Sequence, residues 1–192
     1  DCHQDDNVAK KTYERLFDDR SGAMKVCRGR LHDYLGMTLD FRVKGQVTIG
    51  MISYIQEIVT LFQKYDDSIS TSSTPAAEHI FRVDDNSPKL SEAQGTIFHH
   101  FVAKCLFATK RSRPDIAVAV VFLTTLVKSP DQDDWKKLIH LIRYLRGTTK
   151  LSLTLSATST IIPKSGDDGS HGVHPTLTHQ TSGCLSWGKG MT

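Results

Sequence analysis

Residues 113–147 read RPDIAVAVVFLTTLVKSPDQDDWKKLIHLIRYLRG, and this stretch decides the fold. Pro114 near the first helical position, with an acid beside it, is typical of a helix start. The body that follows, Ile116–Val127, is so uniformly apolar that we expect this helix to be central. Ser129–Gln132 has the pattern of a capping box, which predicts the start of another helix. Because only Lys128 separates the two, they are expected to fold back on each other.

A third helix is predicted before this pair, from Leu90 to about Lys110, because its interior is apolar nearly all round and Ser91 suits its first turn. In the last helix the core stripe is formed by Trp135, Leu138, Ile139, Leu141, Ile142 and Leu145. The side chains expected to point outward from it are Lys136, Lys137, His140, Arg143 and Arg146. The three helices predict a compact antiparallel bundle with one basic side.

Upstream of the bundle the sequence changes to strand periodicity. Apolar residues alternate with polar or small ones over Leu31–Phe41, a turn is expected at Arg42–Gly45, and the alternation resumes from Val47 to Met51. This pattern predicts a β-hairpin with one buried face. Helical spacing returns over Ile52–Lys64, and a looser helical pattern covers Ala9–Phe17. The fold class that we predict is therefore α+β.

The remaining segments are a connection and a tail. Asp66–Pro88 is rich in Ser, Thr, Pro and Asp, which predicts a long surface connection. Leu151–Leu155 alternates like a strand, and Ile161–Ile162 is a candidate for another. Gly and Ser residues around Cys184–Trp187 predict a hairpin near the end of the chain.

The charge of the chain is concentrated in one block. Residues 1–103 carry 12 basic and 15 acidic side chains, whereas residues 104–150 carry 10 basic and 4 acidic ones, a net charge of +6. Such a block is a candidate polyanion surface, with a solvated face that binds nothing as the alternative. The side chains that we assign to this surface are Lys104, Lys110, Arg111, Arg113, Lys136, Lys137, Arg143 and Arg146.

Length and composition exclude several classes of protein. A chain of 192 residues with 39% hydrophobic and 23% charged residues suits one medium domain or two small ones and excludes wholesale disorder. The longest apolar run is too short for a membrane helix, so we expect no membrane partner. The start carries neither a secretory signal nor Met, and we interpret the chain as a segment of a longer polypeptide. The four scattered cysteines favour reduced thiols.

The acidic residues offer one candidate metal ligand. Adjacent aspartates occur at six places, and most are explained as solvated loops or as helix N-terminal charges. Asp168 is the exception, since it follows a predicted strand closely enough to lie at its end. A zinc site formed by His171, His174 and His179 with Cys184 is a weaker alternative, because the spacing matches no common zinc finger.

Six groups of residues occur in the order found in one family of proteins. They are His32–Met37, Ser53–Ile55, Ser73–Pro75, Arg113–Ile116, Ser129–Pro130 with Trp135 and Lys136, and Arg143–Thr148. In this order they resemble the reverse transcriptase of copia-type LTR retrotransposon Pol polyproteins. The likeness covers nearly the whole chain, and the motifs are specific only when they are taken together.

The resemblance implies a role for each part of the chain. Residues 1–65 would be the end of the palm, with Tyr34, Leu35 and Gly36 in a hairpin like the primer grip. Residues 66–88 would be a linker, 89–150 the helical thumb and connection that clasp the template-primer duplex, and 151–192 an incomplete RNase H start. Asp168 would then be the opening metal ligand of RNase H. The strand before it is weak for the family.

The resemblance also implies what this chain lacks. The paired polymerase aspartates would lie before Asp1, and the remaining RNase H carboxylates beyond Thr192. We therefore expect Mg²⁺ to act in the intact polyprotein, none to be bound by this chain alone, and these residues to be inactive by themselves. The implied partners are an RNA or DNA template-primer duplex and the rest of Pol. The implied location is a cytoplasmic virus-like particle, or the nucleus.

A different class of function stays open at this stage. The chain could be a non-enzymatic nucleic-acid-binding or scaffold protein, derived from a decayed or co-opted element. A purely structural helical bundle is the third alternative, and it predicts no nucleic-acid binding at any ionic strength.

Overall fold

A computed structural model describes residues 11, 29–68, 70–78, 80–157, 164–170, 180–186 and 188–189. Within these residues the fold is mixed α+β, as predicted, with an antiparallel sheet and four α-helices. The helix predicted over Ala9–Phe17, apart from Lys11, and the strand predicted at Ile161–Ile162 lie outside the described residues.

The main sheet is antiparallel and has the order β1-β2-β3-β4-β7. Its strands are β1 Leu31–Tyr34, β2 Met37–Asp40, β3 Gln46–Gly50, β4 Leu153–Ala157 and the two-residue β7 Gly188–Lys189. The prediction of a single strand over Leu31–Phe41 is wrong, because the chain turns at Leu35 and Gly36 and pairs Tyr34 with Met37. The predicted turn after Phe41 is confirmed.

The register of the sheet gathers apolar residues on one face. Leu39 lies opposite Ile49, which lies opposite Leu153, and Val47 lies opposite Leu155. Directly paired residues point to the same face of an antiparallel sheet. The strand predicted at Leu151–Leu155 is thus part of the same sheet as the upstream strands, although the helical bundle separates the two stretches in sequence.

The helices follow the predicted periodicity. They are α1 Ile52–Phe62, α2 Glu92–Thr109, α3 Ala117–Leu126 and α4 Gln132–Gly147, with a 3-10 turn at Pro114–Ile116 before α3. Ser91 caps α2 and forms a reciprocal capping box with Gln94. No helix among the described residues is both long enough and apolar enough to cross a membrane.

The cap of α4 differs from the prediction. Asp131 rather than Ser129 occupies the N-cap, and its carboxylate accepts from the backbone N–H groups of Asp133 and Asp134 at 3.0 and 3.1 Å. In turn, the Asp134 carboxylate accepts a hydrogen bond from the Asp131 backbone N–H at 3.1 Å. The physical reason is charge, since a carboxylate both caps the free N–H groups and meets the positive end of the helix.

The core joins the sheet to the bundle through α1. Phe62 is fully buried and its ring lies 4.8 Å from that of Phe101 and 5.7 Å from that of Trp135. The helix α3 is buried on one face only, with Ala119, Val120, Phe122 and Leu123 at most 1% exposed. The expectation of a fully central helix is wrong, because Val118 and Val121 on the other face are 63% and 39% exposed. The described residues of the connection predicted over Asp66–Pro88 form no helix or strand, but Ile80 is part of the core.

A two-stranded hairpin follows the bundle. Its strands are β5 Lys164–Ser170 and β6 Gln180–Ser186, which pair along their whole length. Cys184 lies in β6, in agreement with the hairpin predicted for this part of the chain.

Candidate nucleic-acid interface

The turn between β1 and β2 presents Tyr34 and Leu35 to solvent. Leu35 has φ +49° and Gly36 has φ +76°, the left-handed conformations that a two-residue hairpin turn favours. Gly36 adopts this conformation without steric cost, whereas the same conformation at Leu35 costs about 1 kcal/mol. Tyr34 is 58% exposed and Leu35 is 60% exposed. The turn therefore holds an aromatic ring and an aliphatic side chain at an exposed tip of the sheet.

The predicted cations at the end of α2 differ in their contacts. Lys104 Nζ lies 2.8 Å from Glu57 Oε1, so this charge is already paired. The Arg111 guanidinium lies 3.5 Å from the centre of the Phe107 ring and donates to the Phe107 carbonyl at 3.2 Å. Lys110 is exposed and has no acidic partner in the described part of the chain. Of these three cations, Lys110 is the most accessible to a phosphate.

Arg113 is a buried structural residue, only 1% exposed. Its guanidinium donates to both carboxylate oxygens of Asp115 at 2.9 and 2.8 Å, and to the Thr148 carbonyl and hydroxyl at 3.1 and 2.8 Å. The Tyr144 hydroxyl donates to Asp115 at 2.9 Å. Arg113, which was predicted to belong to the basic surface, is therefore not available to bind a phosphate.

The same network sets the ionisation of Asp115. Burial raises the pKa of this carboxyl, but the hydrogen bonds and charge of Arg113, with the Tyr144 hydroxyl, outweigh burial and hold the pKa below its usual range. The network joins two of the sequence motifs, Arg113–Ile116 and Arg143–Thr148, across the bundle. The motif residues of this network, Arg113, Asp115, Tyr144 and Thr148, therefore stabilise the fold.

The predicted basic side of α4 is largely covered. Lys137 is close to Asp133, with Nζ 2.8 Å from Oδ2, and donates to the Arg82 carbonyl at 2.7 Å. The Arg143 guanidinium donates to both oxygens of Asp66 at 3.0 Å. This face of α4 is therefore not simply solvated, because the connection before α2 crosses it and supplies hydrogen-bond acceptors.

Arg146 is also engaged by the connection. Its guanidinium donates to the backbone carbonyls of Ser68 and Ser70. In contrast, Lys136 on the same helix is exposed and has no acidic partner among the residues described. The eight predicted cations therefore do not form one free surface.

Within the basic block of residues 104–150, four exposed lysines lack an acidic partner in the described ranges: Lys110, Lys128, Lys136 and Lys150. The contact between Arg113 and Thr148 brings the ends of α2 and α4 together, so Lys110 and Lys150 lie at one end of the bundle. Lys128 and Lys136 lie near the start of α4. A helix of 16 residues is about 24 Å long, which matches about seven base-pair steps of a duplex.

Lys128 and Lys150 were missing from the predicted site. Both belong to the basic block, but neither lies within a predicted helix, and the prediction was based on helix faces. Their positions in the sequence could have indicated that they are accessible. A lysine that flanks the end of a helix extends away from the bundle, where it meets fewer hydrogen-bond acceptors than on a packed helix face.

A cleft of about 920 Å³ separates the later part of the connection from α4. Its lining combines the bases Arg82, Lys136, Lys137 and His140 with the acids Glu78, Asp84, Asp85 and Asp133. Because both signs of charge line the cleft, it does not select a polyanion.

The predicted metal ligand Asp168 lies within β5, paired in register with Ser182, rather than at the end of a strand. The described residues include no group of three or more His, Cys, Asp or Glu side chains that could hold a metal ion. A two-metal centre needs several converging carboxylates. The described residues therefore do not fit a Mg²⁺ centre, and we derive no reaction step through one.

The alternative zinc site is described only at Cys184, whose thiol donates to the Gly166 carbonyl at 3.4 Å. The three histidines of that alternative lie outside the described residues. Cys105 is fully buried in α2, and burial raises the pKa of its thiol to about 12. This thiol therefore stays protonated and acts as a small core residue.

Comparison with known proteins yields two transposon relatives. The chain is 24% identical over 158 residues to the Ty5-1 transposon protein of Saccharomyces cerevisiae, which covers 82% of this chain and 50% of that protein. It is 27% identical over 126 residues to the retrovirus-related Pol polyprotein from transposon TNT 1-94 of Nicotiana tabacum. The second match covers 63% of this chain and 9% of the polyprotein.

No protein-family model matches the chain, and no solved structure matches it. The chain spans half the length of the first relative and a small part of the second. Both relatives are named as transposon proteins, and the tobacco one is named as a retrovirus-related Pol polyprotein. The chain is thus similar in sequence to parts of two transposon proteins, one of them a retrovirus-related Pol polyprotein.

Proposed function

We propose that this chain is the part of a copia-type reverse transcriptase that holds an RNA or DNA template-primer duplex for an active centre formed elsewhere in Pol. The observation that carries the proposal is the set of exposed lysines Lys110, Lys128, Lys136 and Lys150. They lie toward the two ends of the helical bundle, in a chain similar in sequence to two transposon proteins. Contacts of lysines with phosphates hold a duplex without reading its sequence.

The exposed turn supplies a second kind of contact in this proposal. Tyr34 and Leu35 present apolar surface at the tip of the sheet, where a ring stacks on an unpaired base or packs on a ribose. A primer 3′ end, at which pairing stops, offers both groups. We propose that the turn fixes the position of this end, while the lysines bind the sugar-phosphate backbone behind it.

Positioning is the whole contribution that we propose for these residues. Holding a primer end in one geometry removes translational and rotational freedom from the reaction, which is a large part of its barrier. The proposal includes Asp168 as a ligand only in a complete RNase H domain. It also places the chain with the rest of Pol in a virus-like particle.

The experiment measures the affinity of the full chain for a labelled RNA–DNA duplex at several salt concentrations. We expect Lys110→Gln and Lys136→Gln each to weaken binding and to reduce the salt slope by about one, because each removes one phosphate contact. Lys110→Arg and Lys136→Arg keep the charge and serve as matched controls. If replacing all four lysines by Gln leaves the affinity unchanged, the proposal is wrong.

A further inference from the structure

One segment of the connection is held to α4 by polar contacts. We call it the strap, the described residues 66–68 and 70–74, which are all Asp, Ser or Thr. The residues that flank it are anchored differently, since Tyr65 before it and Ala76 after it pack against the hydrophobic core. The described strap residues carry no large apolar side chain and are tied by a few polar contacts, which open at low free energy. Ile69, between the two ranges, lies outside the described residues.

Two arginines and one histidine of α4 hold the strap. Arg143 forms the two hydrogen bonds to Asp66, and Arg146 donates to the backbone carbonyls of Ser68 and Ser70. His140 Nε2 lies 3.0 Å from the Thr74 carbonyl oxygen. Only the first contact is an ion pair, and the carbonyls carry no net charge. A phosphate diester is a stronger partner for a guanidinium than a carbonyl is.

The strap crosses the end of α4 at a glycine. A Cβ atom added to Gly147 would lie 3.2 Å from Thr71 Cβ and 3.8 Å from the Ser72 carbonyl oxygen. The first distance is tighter than ordinary van der Waals contact, so a Cβ atom here requires Thr71 to move away from α4 by a few tenths of an ångström. This observation is independent of the ion pair and concerns the same segment.

We propose that the strap is an internal competitor for polyanions: closed, it occupies Arg143, Arg146 and His140, and a nucleic-acid backbone displaces it to reach them. The proposal rests on the proposed function, since it assumes that this chain binds a duplex. It adds a second, conditional set of contacts to the lysines that are always exposed.

The expected effect on duplex affinity follows from the fraction of molecules in which the strap is open. When only the open form offers these side chains, the affinity gained through them scales with the fraction of open molecules. Loss of a well-formed but partly exposed ion pair raises that fraction by up to about fivefold. Asp66→Asn, which leaves Arg143 without its carboxylate, should therefore tighten duplex binding by up to about fivefold.

The test compares two pairs of variants of the full chain in binding to the same RNA–DNA duplex. Asp67→Asn changes the net charge as Asp66→Asn does, but Asp67 has no cationic partner among the described residues. Gly147→Ala should also tighten binding. Its control is Gly95→Ala, where the added Cβ would lie 3.8 Å from Pro130 Cγ, an ordinary contact.

Each outcome decides between the two ideas. If Asp66→Asn and Gly147→Ala bind the duplex more tightly than their controls, the result supports the proposal that the strap competes with the duplex. Equal binding by all variants and the unchanged chain overturns the strap and leaves the proposed function in place. If no variant binds the duplex, both are overturned.

Discussion

Replacing Arg113 by Ala is expected to lower the free energy of unfolding by about 3 kcal/mol or more. The side chain is buried, and its removal leaves the Asp115 carboxylate without its charge partner and the Thr148 carbonyl without a donor. Tyr144 alone cannot replace these contacts, because its hydroxyl donates a single hydrogen bond. Denaturant unfolding followed by circular dichroism measures the difference.

Arg111→Ala is the matched control for Arg113→Ala. Arg111 is also an arginine beside an aromatic ring, but it is only partly buried and has no acidic partner in the part of the chain that is described. We expect its loss to cost less than about 1 kcal/mol. Equal losses for the two variants would contradict the structural role of Arg113.

The pH dependence gives a second readout of the same network. Because the pKa of Asp115 is lowered in the folded state, its contribution to stability is complete above the unfolded pKa of about 3.9. That contribution is lost as the pH falls from this value through the folded pKa. The stability difference between the unchanged chain and Arg113→Ala should therefore be smaller at pH 3 than at pH 7.

Replacing Phe62 by Ala is expected to cost about 3–5 kcal/mol, as for other large-to-small changes in a packed core. Phe62 is fully buried in α1 and contacts the rings of Phe101 and Trp135 from α2 and α4. Since α1 leaves the sheet and packs on the bundle, this cluster also fixes the sheet relative to the helices.

The neighbouring residue provides the control for this change. Leu61 is 38% exposed, so Leu61→Ala should cost less than about 1 kcal/mol in thermal or denaturant unfolding. A loss for Phe62→Ala no larger than that for Leu61→Ala would show that the aromatic cluster does not hold α1 to the bundle.

The helices could be predicted because their signals are local. Ser91 with Gln94, Pro114 with its acid, and the apolar run of α3 each act within a few residues. The cap of α4 was misplaced by two residues, since Ser129 and Asp131 both suit an N-cap and only the backbone conformation distinguishes them. The turn at Leu35 was implied by the resemblance but not by strand periodicity, because leucine is unfavourable at positive φ and strand pairing overrides this preference.

The cations of the candidate interface were predictable, but their availability was not. Asp66 and Arg143 are 77 residues apart, and nothing in a largely polar segment distinguishes a strap from a solvated loop. Arg113 likewise shows no sign in the sequence that it is buried. Periodicity shows which face of a helix is polar, whereas the partner that covers it depends on tertiary structure.

The central claim is that this chain binds a duplex through its phosphates, and the salt dependence of binding by the unchanged chain tests it most directly. If all four exposed lysines contact phosphates, the logarithm of the association constant should fall with the logarithm of salt concentration with a slope of about −3 to −4. Displacement of the strap would make the slope steeper. A slope near zero, or no binding at 50 mM salt, would contradict the claim.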